Sequence, residues 1–164
     1  MELVFIALGS NLGDSQRIVR QAMARLQELS DQPLLKSSLW QTAPVNCPAD
    51  SPPFVNAVVG LVPRQDESPE SLLARLQALE QDFGRQPKTT LNEPRPLDLD
   101  LISFGLQTRA TQNLILPHSH AHLRRFVLQP LNELAPGLVL PGQSQTVARL
   151  LAALADRQTA EKIH

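Results

Sequence analysis

The segment Arg95-Pro96-Leu97-Asp98-Leu99-Asp100-Leu101 carries the densest chemical pattern in the chain. Side chains alternate between the two faces of a β-strand. On a strand, Leu97, Leu99 and Leu101 would therefore enter a core, and Asp98 and Asp100 would stand together on the other face. Neighbouring carboxylates repel, and Asp is depleted in strands. A hard divalent cation removes that repulsion, because Mg²⁺ takes carboxylate oxygen and keeps waters and substrate phosphates as its other ligands. The alternative is the solvated face of a half-buried strand, and spacing alone does not choose between the two. Arg85, Lys88, Arg95, Arg124 and Arg125 surround the pair in sequence. Arg matches phosphate oxygens bidentately and Lys supplies a point charge. Together these are the donors of a Mg-nucleotide site, although each basic residue taken alone reads as surface solvation.

Other candidates are weaker. Gly9 to Asp14 breaks an apolar run before a helix, a place where backbone N–H groups can hold an anion. It lacks the Lys-Ser/Thr of a P-loop, and a plain tight turn explains it equally well. His118, His120 and His122 would share a face on a strand, but Pro117 and the helix expected from Arg125 imply a turn. Phosphate hydrogen bonding suits them better than zinc, since no fourth ligand accompanies them. Phe54 and Phe126 read as core residues when taken singly. Cys47 has no basic neighbour to activate it and no second cysteine to pair with.

The elements that must position these residues follow from periodicity. Leu3–Leu8 reads as a buried strand, and a helix with Ile18, Ala22, Leu26 and Leu29 on one face follows Asp14 or Ser15 as cap. Leu34–Thr42 reads as a strand, Ala43–Pro53 as a proline-rich loop and Phe54–Val62 as a central strand. Ser68-Pro69-Glu70 opens a second helix that Gly84 ends. Arg85–Pro96 reads as a loop and Leu97–Phe104 as a cleanly alternating strand. A short strand at Asn113–Leu116 and helices over Arg125–Leu134 and Thr146–Leu154 complete the order. The fold class expected is α+β. Its core is a ferredoxin-like βαββαβ unit with an antiparallel sheet, plus an added hairpin and C-terminal helices.

With 164 residues the chain is expected to form a single domain over 1–164, large enough to do without disulfide or metal staples. Fifteen basic and sixteen acidic side chains leave a net charge of -1, which argues against a broad grip on nucleic acid or anionic membrane. With no signal-peptide pattern and no long uncharged apolar run, the expected location is the cytoplasm. Proline is unusually frequent, at fourteen residues, and tyrosine is absent.

Three motifs in order then resemble one enzyme family. Ala7-Leu8-Gly9-Ser10-Asn11-Leu12-Gly13-Asp14 is similar to its first loop, Pro94 to Gly105 (PRPLDLDLISFG) to its signature, and Pro117 to Pro136 to its C-terminal motif. From about Phe5 to Leu151 the chain resembles the 6-hydroxymethyl-7,8-dihydropterin pyrophosphokinases of folate biosynthesis. The resemblance implies that the hydroxymethyl oxygen of the pterin attacks the β-phosphorus of ATP and AMP leaves. Asp98 and Asp100 match the aspartates that hold two Mg²⁺ ions, and with Arg85 and Arg95 they are the catalytic set implied. Gln77, Glu80, Arg85, Lys88, Arg95, His118 and Arg124 match positions around ATP. Thr42, Pro44, Val45 and Asn56 match the pterin-recognising loop and strand, and Phe54 and Phe126 the aromatics that sandwich the pterin ring. Leu91, Asn92, Glu93, Pro87 and His120 depart from the family's usual residues, all but His120 in the loop implied to close over ATP. A transient contact with dihydropteroate synthase is the one protein partner considered. Two rival readings use the same residues: a metal-dependent phosphohydrolase, and a non-catalytic ferredoxin-like ligand-binding module.

Overall fold

Val4 to Ser10 is a run of seven residues without a charge, and in the computed structural model it forms strand β1, buried along its whole length. The structure describes residues 2–42, 52–84, 96–154 and 160–163. β1 runs two residues beyond the apolar stretch, so Gly9 is a strand residue and the turn begins only after Ser10. Helix α1, Ser15–Gln27, follows, with the Asp14 carboxylate accepting from the Arg17 N–H at its start. Helix α2, Pro69–Asp82, opens on a capping box in which Ser68 and Ser71 each accept the other's backbone N–H, at 3.1 and 3.0 Å. Gly84, at a φ of +92°, turns the chain out of α2.

β1 pairs antiparallel with β4 (Phe54–Leu61) on one side and with β5 (Asp98–Phe104) on the other. The expected strand Leu34–Thr42 is divided into β2, Leu35–Lys36, and β3, Trp40–Thr42, which lie end to end along β4. Ser37 causes the division. Its hydroxyl, rather than a carbonyl, accepts the Val58 N–H at 2.9 Å, and the regular ladder stops there. A short strand absent from the sequence reading, β8 (Ala160–Lys162), pairs with β3 at the far edge. The sheet order is β5-β1-β4-β3-β8, with β2 beside β4 and every pairing antiparallel. Among the described residues this is an α+β fold with four α-helices.

The two faces of the sheet bury separate cores. Val4, Ile6, Leu8, Ala57, Val59, Leu97, Leu99 and Leu101 pack with the apolar stripes of α1 and α2. Phe5, Ala7, Val58 and Ile102 pack on the other face with α3 (Arg125–Leu134) and α4 (Val147–Ala152). The alternation expected along β5 through Phe104 breaks at Ile102. A register shift opposite Phe5 and Ile6 returns Phe104 to the core that already holds Leu101. A separate hairpin pairs β6 (Arg109–Ala110) with β7 (Ile115–Leu116). Asn113 is not in a strand because Thr111 bonds Leu114 through both backbone and hydroxyl and closes the turn there. Arg109 ties this hairpin to α2 by an ion pair with Glu70 at 2.7 Å.

One polar clasp fastens α3 to the sheet. Glu133 accepts from the Trp40 indole N–H at 2.6 Å and from the Ser38 backbone N–H and hydroxyl at 3.1 and 2.8 Å. Glu133→Ala is expected to cost about 1.5–3 kcal/mol, the range for hydrogen bonds to a charged group. Trp40 is the only tryptophan, so its emission reports on the same clasp. The check is urea unfolding followed by fluorescence; an unchanged midpoint and spectrum would show that the clasp carries no weight.

Candidate active site

The register of β5 against β1 puts Asp98 opposite Gly9 and Asp100 opposite Ala7. β4 continues both rows, with Asn56 opposite Gly9 and Val58 opposite Ala7, and β3 extends the first row with Trp40 opposite Asn56. Both aspartates are half-buried while Leu97, Leu99 and Leu101 lie in the core beneath them. The strand thus separates carboxylates from leucines as its spacing requires, and it presents the acids on the face that α3 covers at Ile102, further along the strand.

His118 is attached to that strand by its backbone: its N–H donates to the Ile102 carbonyl at 2.8 Å. The Nδ1 atom accepts the His120 N–H at 3.3 Å, which leaves Nε2 to carry the proton of the neutral ring. The three histidines occupy a turn and the 3-10 segment Ala121–Leu123, and do not share a strand. Arg124 stands at the start of α3, its own side chain making no cap bond, and its guanidinium carbon lies 5.5 Å from the centre of the Phe126 ring. A helix N-terminus beside an arginine favours anions. The first loop differs: the Asp14 carboxylate occupies the N-terminus of α1, and Ser10 and Asn11 are buried, with Ser10 bonded to Ser15 and Asn11 to the Pro52 carbonyl.

Phe54, Asn56 and Thr42 lie toward the other side of the same face. Asn56 is buried and donates through Nδ2 to the Thr42 hydroxyl at 2.7 Å. Gly9 makes the arrangement possible, because a Cβ there would come within 3.1 Å of Asn56 Oδ1 and 3.8 Å of the Phe54 ring. Sequence reasoning missed this role for Gly9 by ending the strand at Leu8, two residues too soon. The signal was the apolar run leading straight into it. Phe54 and Phe126 are each only half-buried, so neither is a fully enclosed core residue.

Glu80, expected around ATP, is buried, and its carboxylate accepts the Leu99 N–H at 2.9 Å. Gln77, one helical turn earlier, is exposed. A cleft of about 280 Å³ opens at the edge of β5, walled by Leu73, Leu101, Asn113 and Ile115 and sharing Asp100 and His118 with the face described above. Arg85, Lys88, Arg95, Pro44 and Val45 lie outside the described residues, as do Cys47, Pro87, Leu91, Asn92 and Glu93.

The surroundings of His118 favour its neutral form. Burial lowers its pKa most, the positive charge of Arg124 and then His120 act in the same sense, and Asp98 opposes them. An unfolded histidine takes up its proton near pH 6.5. Because the folded pKa is depressed below that value, the unfolded state binds more protons as the pH falls. His118 therefore contributes fully above about pH 6.5 and costs stability below it. In denaturant titrations at pH 7.5 and 5.5, wild type is expected to lose more stability on acidification than His118→Gln. Parallel losses would contradict the assignment.

Known proteins match along nearly the whole chain. The family described as 7,8-dihydro-6-hydroxymethylpterin-pyrophosphokinase matches residues 5–136. A 2-amino-4-hydroxy-6-hydroxymethyldihydropteridine pyrophosphokinase from Pseudomonas aeruginosa is 39% identical over 154 residues, covering 93% of this chain and 92% of its own. The Haemophilus influenzae protein of that name is 36% identical over 159 residues, covering 96% of each chain. A mitochondrial folate synthesis bifunctional protein of Arabidopsis thaliana is 38% identical over 131 residues, which is 80% of this chain and 23% of that one. Among solved structures, an HPPK-DHPS in complex with substrates superposes on 93% of this chain with a TM-score of 0.70 at 12% identity, and this chain spans 43% of it. That likeness shows the fold alone. The match over residues 5–136 and the two near full-length relatives establish that the chain belongs to the 7,8-dihydro-6-hydroxymethylpterin-pyrophosphokinase family.

Proposed function

We propose that this chain transfers the pyrophosphoryl group of ATP to the hydroxymethyl oxygen of 6-hydroxymethyl-7,8-dihydropterin in folate biosynthesis. The hydroxymethyl oxygen bonds to the β-phosphorus as the bond from that phosphorus to the oxygen bridging the α-phosphate breaks. AMP leaves, and the hydroxyl proton is released. The observation that carries the reading is the pair Asp98 and Asp100 on one face of β5, with His118 and Arg124 beside them. The relatives bear pyrophosphokinase and folate-synthesis names, so the phosphohydrolase and the non-catalytic module find no support there.

Two half-buried carboxylates on an edge strand are hard oxygen donors and suit Mg²⁺, so Asp98 and Asp100 are assigned as its ligands, with two ions in the full site. Bound there, the metal would neutralise phosphate charge, including the charge that develops during transfer. His118, through Nε2–H, and Arg124 donate to phosphate oxygens. By their motif positions Arg85, Lys88 and Arg95 add cationic contacts, with Arg85 and Arg95 at the reacting phosphates, and Gln77 borders the nucleotide. The cleft beside Asp100, walled by leucines and by the amides of Gln112 and Asn113, is assigned to the purine base. Phe54 and Phe126 stack on the flat pterin, and Asn56, held by Thr42, offers its carbonyl to a pterin N–H, with Pro44 and Val45 completing the pocket by motif match. Positioning and charge stabilisation then account for the acceleration the protein supplies.

Three further assignments belong to this reading. The succession β1-α1-β2/β3-β4-α2-β5 and its sheet order support a ferredoxin-like core within one domain over 1–164. A transient contact with dihydropteroate synthase draws support from relatives in which the two are one chain. No helix among the described residues is long and apolar enough to cross a membrane, which supports a cytoplasmic location.

Mass spectrometry of ATP, Mg²⁺ and 6-hydroxymethyl-7,8-dihydropterin incubated with the protein should show AMP and the pterin diphosphate; phosphate release without AMP would refute the reading. Asp98→Asn and Asp100→Asn should each lower turnover by orders of magnitude, since metal stabilisation of developing charge amounts to several kcal/mol. Thermal unfolding of the metal-free variants should show no loss of stability, because a like-charge repulsion is relieved. Phe54→Ala and Phe126→Ala should weaken pterin binding by about 1–3 kcal/mol, the range for base–aromatic stacking, and leave ATP binding nearly unchanged. Calorimetry with a non-hydrolysable ATP analogue decides this, and a folded variant with unaltered pterin affinity returns that ring to the core.

A further inference from the structure

β5 ends the sheet: among the described strands it pairs only with β1, so its outward N–H groups have no strand to meet. The one between the two aspartates, on Leu99, donates to the buried carboxylate of Glu80 at 2.9 Å. Water or a neutral acceptor would satisfy an edge amide just as well. What Glu80 adds over water is an acceptor fixed on helix α2, which holds the amide in one direction.

We infer that Glu80 is a positioning residue, which holds the Asp98–Leu99 peptide so that the stretch carrying Asp98 and Asp100 keeps the orientation a metal ion requires. The inference rests on the reading of that pair as Mg²⁺ ligands. Glu80 is suited to the task because its own helix is rigid at the contact. Leu72, Leu76 and Leu79 of α2 are buried in the core that also takes Leu97, Leu99 and Leu101. The bond falls near the beginning of β5, where pairing with β1 starts at Asp98 opposite Gly9. Strand ends fray, and rotation of the Asp98–Leu99 peptide would turn Asp98 directly and, through Leu99, disturb the strand that carries Asp100. Glu80 thus acts through the main chain and need not touch the nucleotide.

Two substitutions separate reach from charge. Glu80→Gln keeps an acceptor at the same distance without the charge, whereas Glu80→Asp keeps the charge and withdraws the acceptor by one methylene. The probe is Mn²⁺, titrated by electron paramagnetic resonance into the full chain with a non-hydrolysable ATP analogue, together with amide hydrogen exchange at Leu99. Glu80→Gln should keep Leu99 protected and Mn²⁺ affinity within about threefold of wild type. Glu80→Asp should expose the amide and weaken Mn²⁺ about tenfold, equivalent to about 1.4 kcal/mol. If the amide is exposed in Glu80→Asp while Mn²⁺ affinity is unchanged, the bond is merely structural and the inference fails. If Glu80→Gln loses Mn²⁺ as strongly as Asp98→Asn does with the Leu99 amide still protected, Glu80 acts by charge and the inference also fails. Asp98→Asn run alongside tests the underlying reading by itself, because unaltered Mn²⁺ affinity in that variant removes the metal pair and not only its support.

Discussion

The register of β5 against β1 is the constraint on which the site depends. Leu97, Leu99 and Leu101 are buried against α1 and α2, and burying a leucine side chain is worth roughly 1.5–3 kcal/mol. A slip of one residue would expose all three and drive Asp98 and Asp100 into the apolar layer, where an ionised carboxylate is very costly. Leucine burial therefore pins the aspartates to the opposite face against their mutual repulsion. β1 can impose this register because it is buried on both faces and paired on both sides, which leaves it no alternative position.

The opposite face supplies the partners. α3 packs with Phe5, Ala7, Val58 and Ile102; Asp100 lies in the row of Ala7 and Val58, and Asp98, Gly9 and Asn56 form the next row of that face. Arg124 and Phe126 occur at the N-terminal end of α3, and Arg124 and Asp98 both act on His118. Glu133, two turns further along the helix, clasps Trp40 and Ser38 and resists sliding of α3 over the sheet. His118 needs no helix to place it, since its main chain bonds directly to Ile102.

Electrostatics at the site is local. The chain is nearly neutral, with a net charge of -1. Yet acids are gathered on β5 and cations at the start of α3, and the two sets face a common space. His118 lies between them, lowered by Arg124 and raised to a smaller extent by Asp98, and burial makes the neutral ring the stable one.

Much of this was legible in the chain itself. The period-two alternation of LDLDL already separated leucines from aspartates, and the Ser-Pro-Glu start and terminal Gly of α2 were evident from capping chemistry. Helix α3 begins and ends where its apolar spacing and the following Pro136 put it. These features are local, decided by residues within a turn or two of one another. Four others were not legible. Ser37 interrupts a strand because its hydroxyl finds Val58, twenty-one positions away; the β5 alternation shifts at Ile102 because of how it meets Phe5 and Ile6; Gly9 is needed because Asn56 and Phe54 arrive above it; and Glu80 reaches the edge amide of Leu99. The sequence by itself determined which residues could enter a core and which could bind a phosphate or a metal, because side-chain chemistry and short-range periodicity are properties of the residues themselves. Only the tertiary structure decided which of them share a face, because that depends on contacts between segments far apart in the chain, and no local pattern encodes such contacts.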